Sequence, residues 1–176
     1  LGKTIVASEI IANECNRNHS QEILVLAHMT DLVRQLEKSS WSQLDKSYST
    51  HLWTGGETPK YSGGIVFATW QSLINAKIED VKDRFNLVIV DEAHHAPSIM
   101  FNDLLEKLRP KFLVGMTATP WRGDEKSLYD VFGNPTYSMD IIDGMQRGYL
   151  AEVDYRMLTD GIDWDEIGLT STQRLT

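Results

Sequence analysis

The stretch Leu87-Val88-Ile89-Val90-Asp91-Glu92-Ala93-His94 decides how the chain is read. Four β-prone apolar residues in a row, ending on two adjacent carboxylates, read as a buried parallel-type strand that delivers charge to the carboxyl edge of a sheet. Open α/β sheets bind ligands at that edge. Packing alone does not put Asp-Glu at the end of a buried strand, because an ionised carboxylate out of water costs free energy unless a cation or hydrogen-bond donors meet it. A positive partner is therefore expected there. Mg²⁺ carried by a nucleotide triphosphate fits, with Asp91 holding the metal, often through its waters, and Glu92 orienting or deprotonating an attacking water. An isolated apolar run ending in Asp-Glu also describes a strand that simply exits to solvent, so the reading rests on the remainder of the chain.

The chain has 176 residues, 41% of them hydrophobic, with five Trp, six Tyr and five Phe. That length favours one domain with a full-sized core, and that composition argues against disorder. No apolar run approaches bilayer length and no signal peptide is present, so a soluble, cytoplasmic protein without a membrane partner is expected. The single Cys15 has no internal disulfide partner, which fits a reducing compartment. Net charge is −8 and uneven: residues 1–120 hold twelve basic against fourteen acidic side chains, and residues 121–176 hold five against eleven. Bulk charge therefore does not advertise nucleic-acid binding, and any such site must be built locally from loops and a few cations. The chain opens on Leu1-Gly2-Lys3-Thr4 without Met, in the middle of a phosphate-loop pattern, and reads as a fragment of a longer protein.

Gly2-Lys3-Thr4 followed by Ile5, Val6, Ile10 and Ile11 fits the end of a P-loop running into an amphipathic helix. Lys and Thr near a helix start are also common at a capped, solvated terminus. As a P-loop tail, Lys3 reaches the β and γ phosphates and the Thr4 hydroxyl joins the metal shell. A polar turn over residues 13–21 is predicted to lead to a strand at Ile23-Leu24-Val25-Leu26-Ala27. A helix then starts with Thr30 as N-cap and carries Leu32, Val33 and Leu36 as its core stripe. Residues 39–64 are polar and broken by Gly55-Gly56, Pro59 and Gly63-Gly64, with a short strand at residues 50–53. Ile65-Val66-Phe67-Ala68-Thr69 is a further buried strand, and Trp70 opens a short helix. Residues 77–85 read as a mixed-charge helical connector and 102–108 as a helix. Phe112-Leu113-Val114-Gly115-Met116 reads as another buried strand, ending on Thr117-Ala118-Thr119-Pro120. This alternation predicts an α/β fold with a doubly wound, mostly parallel sheet. Beyond it the expectations are a turn at 121–124, helices at 127–132 and 141–147, a short strand at 137–139 and an extended stretch at 152–158.

Together these motifs resemble the first motor domain of superfamily 2 helicases and nucleic-acid translocases, the DEAD/DEAH-box group, over nearly the whole chain. Gly2-Lys3-Thr4 looks like the tail of motif I, Asp91-Glu92-Ala93-His94 like motif II and Thr117-Ala118-Thr119 like motif III. The segment from Ala27 to Gln35 is similar to motif Ia, Gly55-Gly56 to a motif Ib-type loop, and Thr69 to Leu73 to the motif after it. Thr117-Ala118-Thr119-Pro120-Trp121-Arg122-Gly123-Asp124, with Ile141-Ile142-Asp143-Gly144 and Arg147-Gly148-Tyr149-Leu150, most resembles the motor subunits of type I and type III restriction enzymes and the double-strand translocases akin to the transcription-repair helicase. His28 departs from the pattern, because motif Ia often carries Pro there.

The resemblance implies a RecA-like P-loop NTPase domain over residues 1–160, truncated within the P-loop, with 161–176 opening a linker or further segment. It implies ATP and Mg²⁺ as cofactors, bound by Gly2, Lys3, Thr4, Asp91, Glu92 and His94, with Thr4 and Asp91 on the metal. Lys3, Asp91 and Glu92 would carry the chemistry. Thr117 and Thr119, touched by His94, would couple γ-phosphate loss to nucleic acid lying along Thr30, Arg34, Gly55, Thr69 and Gln71. DNA is favoured over RNA as the partner. A second RecA-like domain of the same full-length protein would supply arginine fingers, so the isolated chain is expected to be inactive. The rival readings are a P-loop kinase or GTPase and a motor-like scaffold. The first lacks an Asn/Lys/Asp base-reading loop, and the second is opposed by intact Lys3, Asp91 and Glu92.

Overall fold

A computed structural model describes residues 2–17, 22–95, 99–119 and 128–153. The chain divides into two compact units, Leu1–Pro135 and Thr136–Thr176. In the first, five strands form one parallel sheet: β1 (Glu22–Ala27), β2 (Thr50–Trp53), β3 (Ile65–Thr69), β4 (Phe85–Asp91) and β5 (Phe112–Met116), in the spatial order β2-β3-β1-β4-β5. Five helices intervene or precede: α1 (Lys3–Arg17), α2 (Thr30–Ser40), α3 (Trp70–Ile74), α4 (Ile78–Val81) and α5 (Ile99–Leu108), followed by α6 (Leu128–Phe132).

The period of two along each strand sends alternate side chains to two separate cores. Ile23, Val25, Ile65, Phe67, Leu87 and Ile89 pack beneath Ala7, Ile11 and Cys15 of α1 and Val33 and Leu36 of α2. Leu24, Leu26, Val66, Ala68, Val88 and Val90 pack on the other face, against Leu73 of α3, Val81 of α4 and Phe101, Leu104 and Leu108 of α5. Helices on both faces make the sheet doubly wound, as the alternating pattern predicts. Strands β1, β3 and β4, covered on both sides, therefore carry the unbroken apolar runs 23–27, 65–68 and 87–90.

Several local expectations are corrected. Helix α1 continues through Asn13 to Arg17, so the polar stretch after residue 12 is helical, with the Asn13 amide donating to Glu9 one turn earlier at 3.2 Å. Thr30 is the first helical residue of α2; the cap position is Met29, which makes no side-chain capping bond. The connector at 77–85 holds only the single turn α4, because Phe85 is already buried in β4 and Arg84 is ion-paired with Glu22 of β1. Strand β5 forms where expected but is buried only at Met116, and Phe112 is 60% exposed, since β5 has only β4 as a neighbour among the described residues. Residues 137–139 form no strand; an extended segment with no partner strand gains no ladder hydrogen bonds. The turn at 121–124, residue 127, residues 18–21 and the extended stretch beyond 153 lie outside the described residues, as does the boundary expected after residue 160.

In the second unit, α7 (Ile141–Gln146) begins at Asp140, whose carboxylate accepts the Asp143 N–H at 2.7 Å. Gly144 admits the Leu150 side chain so closely that a Cβ would sit 2.9 Å from it.

Gly64 marks the tightest backbone approach in the sheet. Its φ is +80°, and a Cβ there would lie 2.3 Å from the Ser49 carbonyl oxygen, the acceptor of the Ile65 N–H that starts β3 beside β2. Gly64→Ala is expected to destabilise the protein by about 2–4 kcal/mol, from the left-handed φ and the backbone overlap combined. Urea unfolding monitored by far-UV circular dichroism checks this.

Candidate functional site

Because the five strands are parallel, their carboxyl ends share one edge of the sheet, and Thr30, Gly55, Thr69, Asp91, Glu92 and Thr117, which follow strand ends, lie along it. The chain leaves β1 towards β2 on one side and leaves β4 towards β5 on the other. The crevice between the ends of β1 and β4 is therefore the topological switch point, where sheets of this kind take ligands. It is a small crevice lined by Leu26, Ala27, His28, Trp70, Val90, Asp91, Glu92 and Phe101.

Lys3, in the first turn of α1, reaches this point across 88 residues of sequence. Its Nζ lies 3.9 Å from Asp91 Oδ1 and donates to Glu92 Oε1. The charge demanded by a strand that ends on two carboxylates is thus met by an ammonium group. Glu92 has φ +50°, a left-handed conformation that costs a β-carbon-bearing residue on the order of 1–2 kcal/mol. The next residue, Ala93, is buried in the core and begins a 3₁₀ turn, Ala93–His95, so packing holds the sharp exit from β4.

His94 connects this exit to the end of β5. Its Nδ1 stands 3.0 Å from Thr117 Oγ1, 3.4 Å from Thr119 Oγ1 and 3.3 Å from Glu92 Oε2. Thr117 Oγ1 also accepts the Thr119 N–H at 3.0 Å, which folds the segment after β5 back on itself. The side chain of His95, and Trp121, lie outside the described residues.

The other half of the edge is less uniform. Thr30 is half-buried at the start of α2, and Gln71 and Gly55 are exposed. Arg34 is exposed but ion-paired with Glu57, a residue the motif reading passes over. Thr69 is buried and its hydroxyl lies 2.8 Å from Ser72 Oγ, so that side chain is directed into the head of α3. Glu57 had a signal in the sequence: Gly55-Gly56 is a two-residue hairpin turn, which pairs its flanks, and Thr54 and Glu57 form that bridge with bonds of 2.8 and 3.3 Å. Of the aromatic side chains, Trp53 is buried, and Trp70 packs partly buried against the core while lining the crevice.

Among the described residues no three His, Cys, Asp or Glu side chains group as a self-contained metal site. For Mg²⁺, which takes one or two protein oxygens and keeps water and phosphate for the rest, Asp91 offers a carboxylate, whereas the Lys3 ammonium beside it is a cation and no ligand. A larger open cleft at the opposite edge of the sheet, about 360 Å³, is lined by Lys82, Asp103, Glu106, Lys107 and Arg109 and mixes both signs of charge away from this chemistry.

A parallel, doubly wound sheet with a helix-borne lysine and two strand-end carboxylates at its switch point is the arrangement of a RecA-like fold. The chain belongs to the family described as type III restriction enzyme, res subunit, whose model matches residues 1–122. It is 28% identical to the type I restriction enzyme EcoAI endonuclease subunit of Escherichia coli over 99% of this chain and 22% of that one. It is 27% identical to the DNA 3'-5' translocase XPB2 of Sulfurisphaera tokodaii over 89% of this chain and 34% of that one. The fold resembles that of the UvsW helicase from bacteriophage T4, with a TM-score of 0.63 and 17% identity over 74% of this chain and 48% of that one. The chain thus spans about a fifth to a third of the length of these curated relatives. No helix among the described residues is long and apolar enough to cross a membrane.

Thr117→Val keeps the shape of the side chain and removes the hydroxyl shared by His94 and the Thr119 N–H. A stability loss of about 1–2 kcal/mol is expected, together with a changed His94 imidazole nitrogen resonance. Chemical denaturation and ¹⁵N NMR of the imidazole measure the two effects.

Proposed function

We propose that this chain is the ATP-binding motor domain of a DNA-dependent ATPase, a helicase or double-strand translocase of the restriction-subunit type. The observation that carries the reading is the convergence of Lys3, Asp91 and Glu92 at the switch point of the sheet. Gly2, Lys3 and Thr4 would meet the triphosphate, Lys3 pairing with its β and γ phosphates. Asp91 and Thr4 would hold Mg²⁺, which would supply charge neutralisation at the phosphates. Glu92 orients the attacking water and receives its proton. His94, in reach of both Glu92 and the threonines after β5, would connect the state of the nucleotide site to Thr117 and Thr119.

Nucleic acid would lie across the ends of β1, β2 and β3, on Thr30, Arg34, Gly55 and Gln71, with Thr69 shaping the head of α3. Amides, hydroxyls and a single cation hold phosphates without reading sequence, which suits an acidic chain. DNA rather than RNA is favoured by the DNA translocase and the restriction-enzyme subunit among the relatives. We infer further that the motor domain extends to about residue 160 and works in the cytoplasm against a second RecA-like domain of the full-length protein.

Replacing the base without removing the metal or phosphate ligands separates chemistry from binding. In the full-length protein, Glu92→Gln is expected to lower ATP turnover at least about a hundredfold while retaining ATP binding, whereas Lys3→Ala weakens binding itself. Steady-state ATPase rates with and without duplex DNA, alongside binding of a fluorescent ATP analogue, measure both. Unchanged turnover in Glu92→Gln sinks the assignment in favour of a scaffold. Turnover indifferent to nucleic acid favours a kinase or GTPase.

A further inference from the structure

The Gly55-Gly56 turn carries a carboxylate onto Arg34 at the proposed nucleic-acid edge. Thr54 and Glu57 are locked in a backbone bridge on either side of the two glycines, and Thr54 is buried, so the miniature hairpin is fixed in position at the end of β2. From that position the Glu57 side chain crosses to α2 and pairs with the Arg34 guanidinium. The two residues are 23 apart in sequence and come from different elements, so the pairing is a product of the fold and not of helical spacing. Both side chains are accessible, Arg34 at 53% and Glu57 at 43%. A pair this open to water is easily exchanged, because solvent screens it and its net stabilisation is small.

We propose that Glu57 is an affinity-setting residue of the nucleic-acid edge: its carboxylate occupies the place on Arg34 that a backbone phosphate takes, and must be displaced when the strand binds. A carboxylate and a phosphate present the same bidentate oxygen face to a guanidinium. One phosphate group gains little by the exchange. A polyanion gains more, because further contacts along the strand and release of its counterions are added. Glu57 thereby holds down the affinity of the edge for single phosphates and free nucleotides while leaving it open to a continuous phosphodiester backbone. The inference rests on the reading of Arg34 as a phosphate contact.

Glu57→Gln is the informative substitution, since the backbone bridge that holds the hairpin needs no carboxylate. Binding of a fluorescein-labelled, random-sequence 30-base-pair DNA duplex to the full-length protein is followed by anisotropy at 50 and 200 mM salt. Glu57→Gln is expected to tighten binding about two- to fivefold. Arg34→Ala weakens it and reduces the salt slope by about one unit. In the Arg34→Ala background, Glu57→Gln then has no further effect. Weaker binding by Glu57→Gln overturns the proposal, showing that the carboxylate positions Arg34 instead of masking it. Equal tightening with and without Arg34 also overturns it, as a general effect of net charge. An Arg34→Ala variant that binds like the parent removes Arg34 from the interface and with it both the phosphate contact and this inference, whereas normal Arg34 dependence with an inert Glu57→Gln sinks this inference alone.

Discussion

A strand buried on both faces that ends on two adjacent carboxylates creates an electrostatic demand, and the rest of the molecule is arranged around meeting it. Strand β4 has neighbours on either side and helices above and below, so Asp91 and Glu92 emerge where water is already restricted. Lys3 answers from the first turn of α1. Its ammonium and the carboxylates are only about one-eighth to one-quarter exposed, so the attraction is less screened than at an open surface. Holding both acids near one cation also fixes the direction in which β4 leaves the sheet, through a left-handed Glu92 and a buried Ala93.

The parallel topology then does the positioning. Each strand of such a sheet ends on the same edge, so five short exits, separated by dozens of residues in sequence, form one continuous row. Residues after β4 and β5 touch through His94, and residues after β2 and β1 touch through Glu57 and Arg34. Local geometry, and not the net charge of the chain, decides what such an edge meets.

What was legible in the sequence followed from burial. Ile23 to Ala27, Ile65 to Ala68 and Leu87 to Val90 are apolar on consecutive positions because both faces are covered, and a run of that kind reads as a central strand. Phe112 to Met116 is similarly apolar, yet lies beside a single neighbour among the described residues; position within a sheet comes from long-range topology that a local run does not encode. The cap of α2 was misjudged for a related reason: Thr30 has capping chemistry, but the chain reaches helical dihedrals one residue sooner than that role allows. At the site, Lys3, Asp91 and His94 were found through motif spacing. Glu57 and Ser72 were missed because each acts only as another residue's partner, one across 23 positions and one through a bond between neighbouring hydroxyls.

The Lys3–Glu92 and Arg34–Glu57 pairs at the edge differ in burial, and that difference sets how readily each can be exchanged. Lys3 and Glu92 are each about three-quarters covered, whereas Arg34 and Glu57 are about half open to solvent. Breaking a covered pair leaves a charge poorly solvated, which costs several kcal/mol when burial is complete and less here. Breaking an open pair costs at most about 1 kcal/mol, because water replaces the lost partner. The exit of β4 therefore keeps one geometry unless another ion enters to share Lys3. The start of α2 can exchange partners with little change in stability. Residues that must hold reacting groups in register belong at the first place, and residues that must release a strand as readily as they bind it belong at the second.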